Sequence, residues 1–161
     1  MTLAAFCAGL LLANVFVWLV ARRLYRLGAW RWAIVRRISG LPNIGGAWEF
    51  QAKSLNQDGS LLYEWRADVK LTQCADDVTV EIKTPLSSSL SRPAKLQVFA
   101  EGARLLFDYT GEHTPDAPIT TDFFGMTAFR FDSQADTASG YYMNYNGRYT
   151  LGRLTLQRSK T

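Results

Sequence analysis

The chain has 161 residues and a mass of 18.1 kDa, and 48% of its residues are hydrophobic while 20% are charged. This length and composition exclude a disordered chain and a large two-domain enzyme. The net charge of +4 is uneven, because residues 21–37 contain six arginines and no acid, whereas residues 38–161 carry 12 basic and 14 acidic side chains. We therefore expect no binding of DNA or RNA polymers, which requires a cationic surface on the folded domain.

The first segment of the chain is apolar. Leu3–Val20 contains no charge, and as a helix it would be about 27 Å long, enough to cross a thin hydrocarbon core. Bulky residues at Phe16–Leu19 occupy the place where signal-peptide cleavage needs small ones, and the following arginines favour a cytoplasmic location for this end. We predict an uncleaved N-terminal transmembrane helix followed by a cytoplasmic domain.

A basic segment follows the apolar one. Residues 24–38 mix aromatic and aliphatic residues with arginines, which is typical of a helix in the headgroup layer. A second transmembrane helix is the alternative for this segment. Glycine and proline in residues 39–46 then mark a boundary. We predict a membrane anchor with a basic juxtamembrane segment over residues 1–38 and a folded domain over residues 39–161.

From Ala47 onward the apolar residues follow a two-residue period, as they do in strands with one buried face. The pattern predicts eight strands: Ala47–Lys53, Trp65–Leu71, Val78–Lys83, Ala94–Glu101, Ala103–Thr110, Asp122–Asp132, Ser139–Tyr145 and Arg148–Arg158. Eight antiparallel strands can close into a barrel with room for one small ligand. We therefore predict an all-β, eight-stranded antiparallel lipocalin-like barrel after the transmembrane helix, with an open sandwich as the alternative.

The same alternation places polar side chains among the apolar residues of the inner face. These are Thr84, Tyr109, Thr127, Tyr142, Asn144 and Thr150. The glycines on that side, Gly125, Gly140 and Gly152, would leave volume for a ligand. Because a buried hydroxyl costs free energy unless it has a partner, this pattern favours a ligand-binding interior. The alternative is that these groups hydrogen-bond to one another or lie near the open mouth.

The segment Thr84–Arg92 contains four serines and an arginine. Hydroxyl and guanidinium groups are suited to binding phosphate, so Ser87, Ser89 and Arg92 are candidate ligand contacts; the alternative is a solvated turn between strands. Arg148, which follows the predicted turn at Asn146-Gly147, is a further candidate at the barrel rim.

Several kinds of site are not expected. The chain has one histidine, His113, in a segment rich in turn residues, which is typical of a solvated loop. Its two cysteines, Cys7 and Cys74, lie in different environments and lack metal-ligand spacing. No Walker motif or catalytic triad can be assembled. We expect no catalytic residue, no metal site, no cofactor and no enzymatic activity.

The order of several motifs points to a family. They are Leu41–Trp48 at the first strand, the serine segment, Phe123–Ala128, Gly140–Asn144 and Arg148–Leu154. With the N-terminal anchor, this order resembles the CBASS anti-phage effectors of bacteria, which join transmembrane helices to a cyclic-nucleotide-sensing β-barrel. The resemblance covers residues 41–158. Members of that family typically carry two transmembrane helices, whereas one span is predicted here.

The resemblance implies a function. A partner CD-NTase makes a cyclic dinucleotide on phage infection, the barrel binds it, and the protein oligomerises and disrupts the inner membrane, which kills the cell. The single apolar segment predicts a single-pass inner-membrane protein with a cytoplasmic barrel, and the resemblance gives two passes as the alternative. The candidate ligand-binding residues are Thr84, Ser87, Ser89, Arg92, Tyr109, Thr127, Tyr142, Asn144 and Arg148. Two other functions stay open: a membrane-anchored lipocalin-like carrier of an apolar molecule, and a structural protein with a filled barrel.

Overall fold

The computed structural model of the protein describes residues 3–117, 121–145 and 149–159. The chain divides into two compact units, Met1–Leu41 and Pro42–Thr161. The first is helical: helix α1 spans Leu3–Leu27, a 3₁₀ turn spans Ala29–Arg31 and helix α2 spans Ala33–Ser39. Residues 24–38, considered as a second span, are thus divided between two helices and a turn.

The described part of α1 exposes large apolar side chains, among them Leu11, Phe16 and Trp18. Of the helices in the described residues, none has the length and apolar character that crossing a membrane requires. The prediction of a transmembrane helix over Leu3–Val20 therefore finds no support in the structure.

The second unit is a β-barrel. Its described residues form nine strands: β1 Gly46–Leu55, β2 Leu61–Cys74, β3 Asp77–Lys83, β4 Ser87–Ser91, β5 Ala94–Phe99, β6 Gly102–His113, β7 Phe123–Phe131, β8 Thr137–Tyr145 and β9 Thr150–Arg158. Every strand pairing is antiparallel, and the sheet has the order β2-β1-β9-β8-β7-β6-β4-β3-β5. The additional pairing of β2 with β3 closes it.

The barrel has eight strand positions because β4 and β5 share one of them. Both lie between β3 and β6: β4 pairs with one end of β3 and β5 pairs with the other. The prediction of a closed, eight-stranded antiparallel barrel is confirmed, and the open sandwich is excluded.

Ser87–Ser91 of the serine segment form strand β4. This corrects the prediction that residues 84–92 lie between strands. Ser89 pairs with Ile82 of β3 and with Gly111 of β6. Ser89 and Ser91 are buried while the intervening Leu90 is exposed. Polar residues therefore face inward and the apolar residue faces outward, which is the reverse of the usual pattern in a strand. The hydroxyl of Ser91 accepts a hydrogen bond from the backbone N–H of Val80 at 2.8 Å.

One end of the barrel is filled by the apolar core. Its most deeply buried large side chains include Trp48, Val69, Val78, Val80, Leu105, Phe129 and Phe131. Trp48 and Phe131 pack edge to face with their ring centres 5.5 Å apart, and Phe129 packs against Phe131 in the same way at 6.0 Å. Close packing here confines any ligand space to the opposite end.

Buried polar contacts also seal this end, where the chain enters the barrel. Gln73 on β2 accepts a hydrogen bond from the backbone N–H of Ile44 at 2.8 Å and donates to the carbonyl of Pro42 at 3.0 Å. The guanidinium of Arg158 on β9 lies 4.7 Å from the centre of the Trp48 ring. Both side chains therefore hold the entry segment against the core.

Candidate functional site

The opposite end of the barrel contains a cavity of about 470 Å³. This volume is within the range of roughly 300–1,000 Å³ that is usual for small-molecule sites. Aromatic rings and short polar side chains make up most of its lining: Phe50, Tyr63, Trp65, Thr84, Ser87, Ser89, Tyr109, His113, Phe123, Thr127, Tyr142, Asn144 and Thr150. Among the described residues that line it, Arg66 is basic and none is acidic. The aromatic lining therefore suits a planar ligand, and no described acidic residue of the lining would repel an anionic one.

The structure brings seven of the nine candidate ligand-binding residues together around this cavity. They are Thr84, Ser87, Ser89, Tyr109, Thr127, Tyr142 and Asn144. The hydroxyls of Thr84 and Ser87 lie 2.9 Å apart, within hydrogen-bond distance of each other. The two-residue period thus identifies five of these seven residues, and the composition of the serine segment identifies Ser87 and Ser89.

Of the other two candidates, Arg92 is not among the cavity residues. Arg92 directly follows the inward-facing Ser91, so its side chain points outward, where it is 84% exposed and forms an ion pair with Asp108. It is therefore on the outer surface rather than at the ligand space. Arg148 lies outside the described residues.

The hydroxyl of Tyr142 has partners within the cavity wall. It lies 2.5 Å from the hydroxyl of the buried Ser54 and accepts a hydrogen bond from the indole N–H of Trp65 at 3.2 Å. The rings of Tyr142 and Trp65 also pack edge to face with centres 5.6 Å apart. These contacts hold both aromatic rings in place on the wall.

A second hydrogen-bonded group runs along the cavity wall from β6 through β8 to β9. The Tyr109 hydroxyl donates to the Asn144 carbonyl oxygen at 2.6 Å, and the Asn144 amide nitrogen donates to the Thr150 hydroxyl at 2.8 Å. The alternative weighed for the inner face, hydrogen bonding of the polar groups to one another, therefore applies to these residues. They still line the cavity, as a fixed polar wall.

The glycines of the inner face do not leave empty volume, contrary to prediction. A Cβ on Gly125 would lie 2.2 Å from the Tyr109 ring, and one on Gly152 would lie 2.5 Å from the Tyr142 ring. A Cβ on Gly140 would lie 1.8 Å from the Ala128 carbonyl oxygen. Absent side chains at Gly125 and Gly152 thus admit aromatic rings, and those rings form the wall.

His113 is one of the cavity residues that the sequence interpretation missed, along with Tyr63, Trp65 and Phe123. It is the last residue of β6 rather than part of a solvated loop, and its ring centre lies 5.3 Å from that of Phe123. Its Nε2 is buried without a hydrogen-bond partner among the described residues. A buried polar atom in this state costs free energy, which a ligand can recover by bonding to it. The period of two along β6, continued past Thr110, would have placed His113 inside.

Comparison with known proteins agrees with this geometry. The family model described as Cap15, cyclic dinucleotide receptor domain, matches residues 39–158. A relative named CD-NTase-associated protein 15, from Yersinia aleksiciae, is 28% identical over 131 residues, which cover 80% of this chain and 61% of the relative. The chain therefore spans about six tenths of the length of that relative. Since the family model matches well over half of the chain, the protein belongs to the Cap15 cyclic dinucleotide receptor domain family.

Proposed function

We propose that the barrel binds a cyclic dinucleotide in its cavity and acts as the receptor of a CBASS anti-phage system, in which a partner CD-NTase makes that nucleotide. The observation that carries this proposal is the lining of the cavity in a member of this family. Aromatic, hydroxyl and amide groups surround about 470 Å³ of space, and no described lining residue is acidic. The proposal assigns the protein no catalytic step.

The lining offers a partner for each part of such a ligand. The rings of Tyr63, Trp65 and Phe123 provide faces for nucleobases, and base–aromatic stacking contributes about 1–3 kcal/mol per base. The hydroxyls of Thr84 and Ser87 can donate to phosphate oxygens. Because no described residue of the lining is acidic, the cavity wall does not repel the two phosphates.

Binding is tested by titration calorimetry on the full chain in a non-ionic detergent. We expect one or a few members of a panel of cyclic dinucleotides to bind, with an affinity that falls as salt is added, because phosphates contribute charge–dipole contacts that salt screens. A fatty acid serves as the control ligand. Binding of the fatty acid, with no response to any cyclic dinucleotide, would support the carrier function instead.

We further propose that the protein self-associates and that α1 carries its output to the inner membrane. Two observations support this part: the described residues of α1 expose Leu11, Val15 and Phe16 at 66%, 54% and 68%, and arginines follow at the end of the helix. Apolar side chains next to basic ones bind anionic lipid surfaces. Self-association of the barrels would bring several such helices to one patch of membrane.

Flotation with anionic phosphatidylglycerol vesicles tests the membrane proposal. We expect the full chain to float, and Leu11→Arg/Phe16→Arg to reduce the bound fraction about tenfold or more, because two exposed apolar side chains become charged. The matched control is Leu61→Arg/Leu62→Arg on β2, which changes two exposed leucines of the barrel. Equal flotation of the α1 variant and the wild type would contradict the proposal.

A further inference from the structure

The outer face of β6–β9 exposes a continuous set of large apolar side chains. They are Leu106, Phe124, Met126, Tyr141, Met143, Tyr145 and Leu151, with exposed fractions between 39% and 66%. Strand pairing makes them neighbours, since Phe124 is opposite Tyr145 and Met126 is opposite Met143. Monomeric proteins rarely expose apolar patches of this kind, which usually mark an interaction surface. We refer to this set as the β6–β9 face.

Charged side chains lie at the two ends of the same face along β6 and β7. At one end, Arg104 is directly opposite Arg130. At the other end, Glu112 and Asp122 adjoin the paired residues Gly111 and Phe123. All four charged side chains are exposed, and none of them forms an ion pair with a described residue. Among the described residues of β6 and β7, the face therefore has a basic pair toward one end, apolar side chains in the middle and an acidic pair toward the other end, and Glu101 lies beside the basic pair.

The spacing of these charges is symmetric. Asp108 and Met126 are opposite each other, Arg104 and Glu112 each lie four residues from Asp108, and Arg130 lies four residues from Met126. Four residues of strand correspond to about 14 Å. A two-fold axis that crosses the strands at this central pair would place the basic end of one copy against the acidic end of another. Such a surface is complementary to itself.

The central pair of the face, Asp108 and Met126, carries no uncompensated charge, and the exposed Arg153 of β9 lies beside Tyr141 away from this pair. Asp108 is paired with Arg92, so two copies would not bring bare carboxylates together at the axis. The exposed side chain of Met126 is at the axis, and an apolar contact there is what the core of an interface requires.

We propose that the β6–β9 face packs against the same face of a second copy of this chain, with Arg104 and Arg130 of each copy meeting Glu112 and Asp122 of the other. The inference rests on the self-association included in the proposed function, and it names the surface and its symmetry. Like charges opposite each other on β6 and β7 destabilise an isolated barrel slightly, and a second copy relieves this repulsion.

Charge reversal tests the pairing. Sedimentation equilibrium of the full chain in non-ionic detergent should show a dimer, and Arg130→Glu or Asp122→Arg alone should weaken it roughly tenfold or more, because each places like charges across the interface. The double variant Arg130→Glu/Asp122→Arg should restore most of the affinity. The control is Lys70→Glu on β2, which lies across the barrel from β7 and should leave the dimer unchanged. Equal self-association in all variants would overturn the proposal.

Cross-linking tests the position of the axis without relying on charge. In a Cys7→Ser/Cys74→Ser background, Met126→Cys should be linked to its copy by a short bis-maleimide, whereas Thr72→Cys, exposed on β2, should not. Equal linkage of both cysteines, or of neither, would overturn the proposal. Protection of the cysteine at position 126 only when vesicles are added would also overturn it, and would assign the face to lipid.

The same samples separate this inference from the proposed receptor function. Cyclic dinucleotide binding by calorimetry should be retained in Arg130→Glu and in Asp122→Arg, because both side chains lie on the outside of the barrel. A dimer that obeys charge reversal in a protein that binds no nucleotide would support the interface and contradict the receptor. Nucleotide binding by a protein that forms no dimer would support the receptor function and contradict the interface.

Discussion

Replacement of Gly140 by alanine should prevent the barrel from folding, or lower its free energy of unfolding by about 3 kcal/mol or more. The added Cβ would lie 1.8 Å from the carbonyl oxygen of Ala128, which belongs to the backbone of the neighbouring strand β7. Gly140 is paired with Phe129 of β7 and with Leu154 of β9, so neither strand can move away without losing pairing on both sides. Chemical denaturation followed by circular dichroism measures the loss.

Two other variants make this result specific. Ser139→Ala, at the exposed neighbouring position of β8, should change the free energy of unfolding by less than about 0.5 kcal/mol. Gly125→Ala should fall between the two, because its Cβ would meet the side chain of Tyr109, which can turn into the cavity. If Gly140→Ala unfolds at the same denaturant concentration as Ser139→Ala, the tight strand approach at this position is not present in solution.

Much of the barrel follows from the alternation of apolar and polar residues. The alternation around Trp65–Leu71 and Val78–Lys83 places β2 and β3, because burying one face of a strand requires this pattern. Strand β4 does not follow from it. Its inward positions are Ser87, Ser89 and Ser91, its outward positions are Ser88 and Leu90, and so no apolar side chain marks its inner face. Backbone hydrogen bonds to β3 and β6 on either side form this strand regardless of its side chains.

The sequence predicts which side chains of the candidate site face the barrel interior, but it does not predict which residues they contact. A period of two is sufficient to direct Tyr109, Tyr142 and Asn144 inward. It gives no information on which partner each group finds across the barrel, because that depends on how the strands are staggered. The inward glycines show the same limit. An absent side chain at Gly152 is visible in the sequence, whereas the Tyr142 ring that covers it comes from a neighbouring strand.

Arg92 shows how one misplaced element misdirects a site residue. With residues 84–92 interpreted as a loop, the arginine is free to reach a ligand. As soon as Ser91 is an inward residue of a strand, Arg92 is directed to the opposite face. The error for His113 has the same origin, since β6 extends to this residue and the inner face extends with it.

A negative charge at position 144 should reduce cyclic dinucleotide affinity by more than about tenfold. In Asn144→Asp the new carboxylate can accept hydrogen bonds from both Tyr109 and Thr150, so the polar wall keeps its two bonds while its charge changes. A unit charge about 7 Å from a phosphate, at an effective dielectric constant near 20, costs about 2 kcal/mol. Calorimetry with the same nucleotide panel measures the loss.

Asn144→Leu is the matched control, because it has a similar size and no charge. It removes both hydrogen bonds and leaves the Tyr109 hydroxyl without its Asn144 partner, which should cost about 1–3 kcal/mol in unfolding free energy. Its loss of nucleotide affinity should be smaller than that of Asn144→Asp. If the two variants lose the same affinity, the phosphates do not lie near this wall.

The pH dependence of binding separates charge from shape at this position. Asn144 is 7% exposed, and burial together with the charge of a bound phosphate raises the pKa of an introduced carboxyl, whereas hydrogen bonds from Tyr109 and Thr150 lower it. We expect the first two effects to be larger, so that the introduced group has a pKa above its ordinary value. It is therefore charged at high pH, where the repulsion is present, and neutral as pH falls through that raised pKa. Affinity of Asn144→Asp relative to wild type should accordingly recover on going from about pH 8 to about pH 5. The ratio to wild type removes any pH dependence that both proteins share, and for Asn144→Leu the ratio should stay constant with pH. A constant ratio for Asn144→Asp as well would show that its defect is not electrostatic, and the ligand bound in this cavity would then not be an anion.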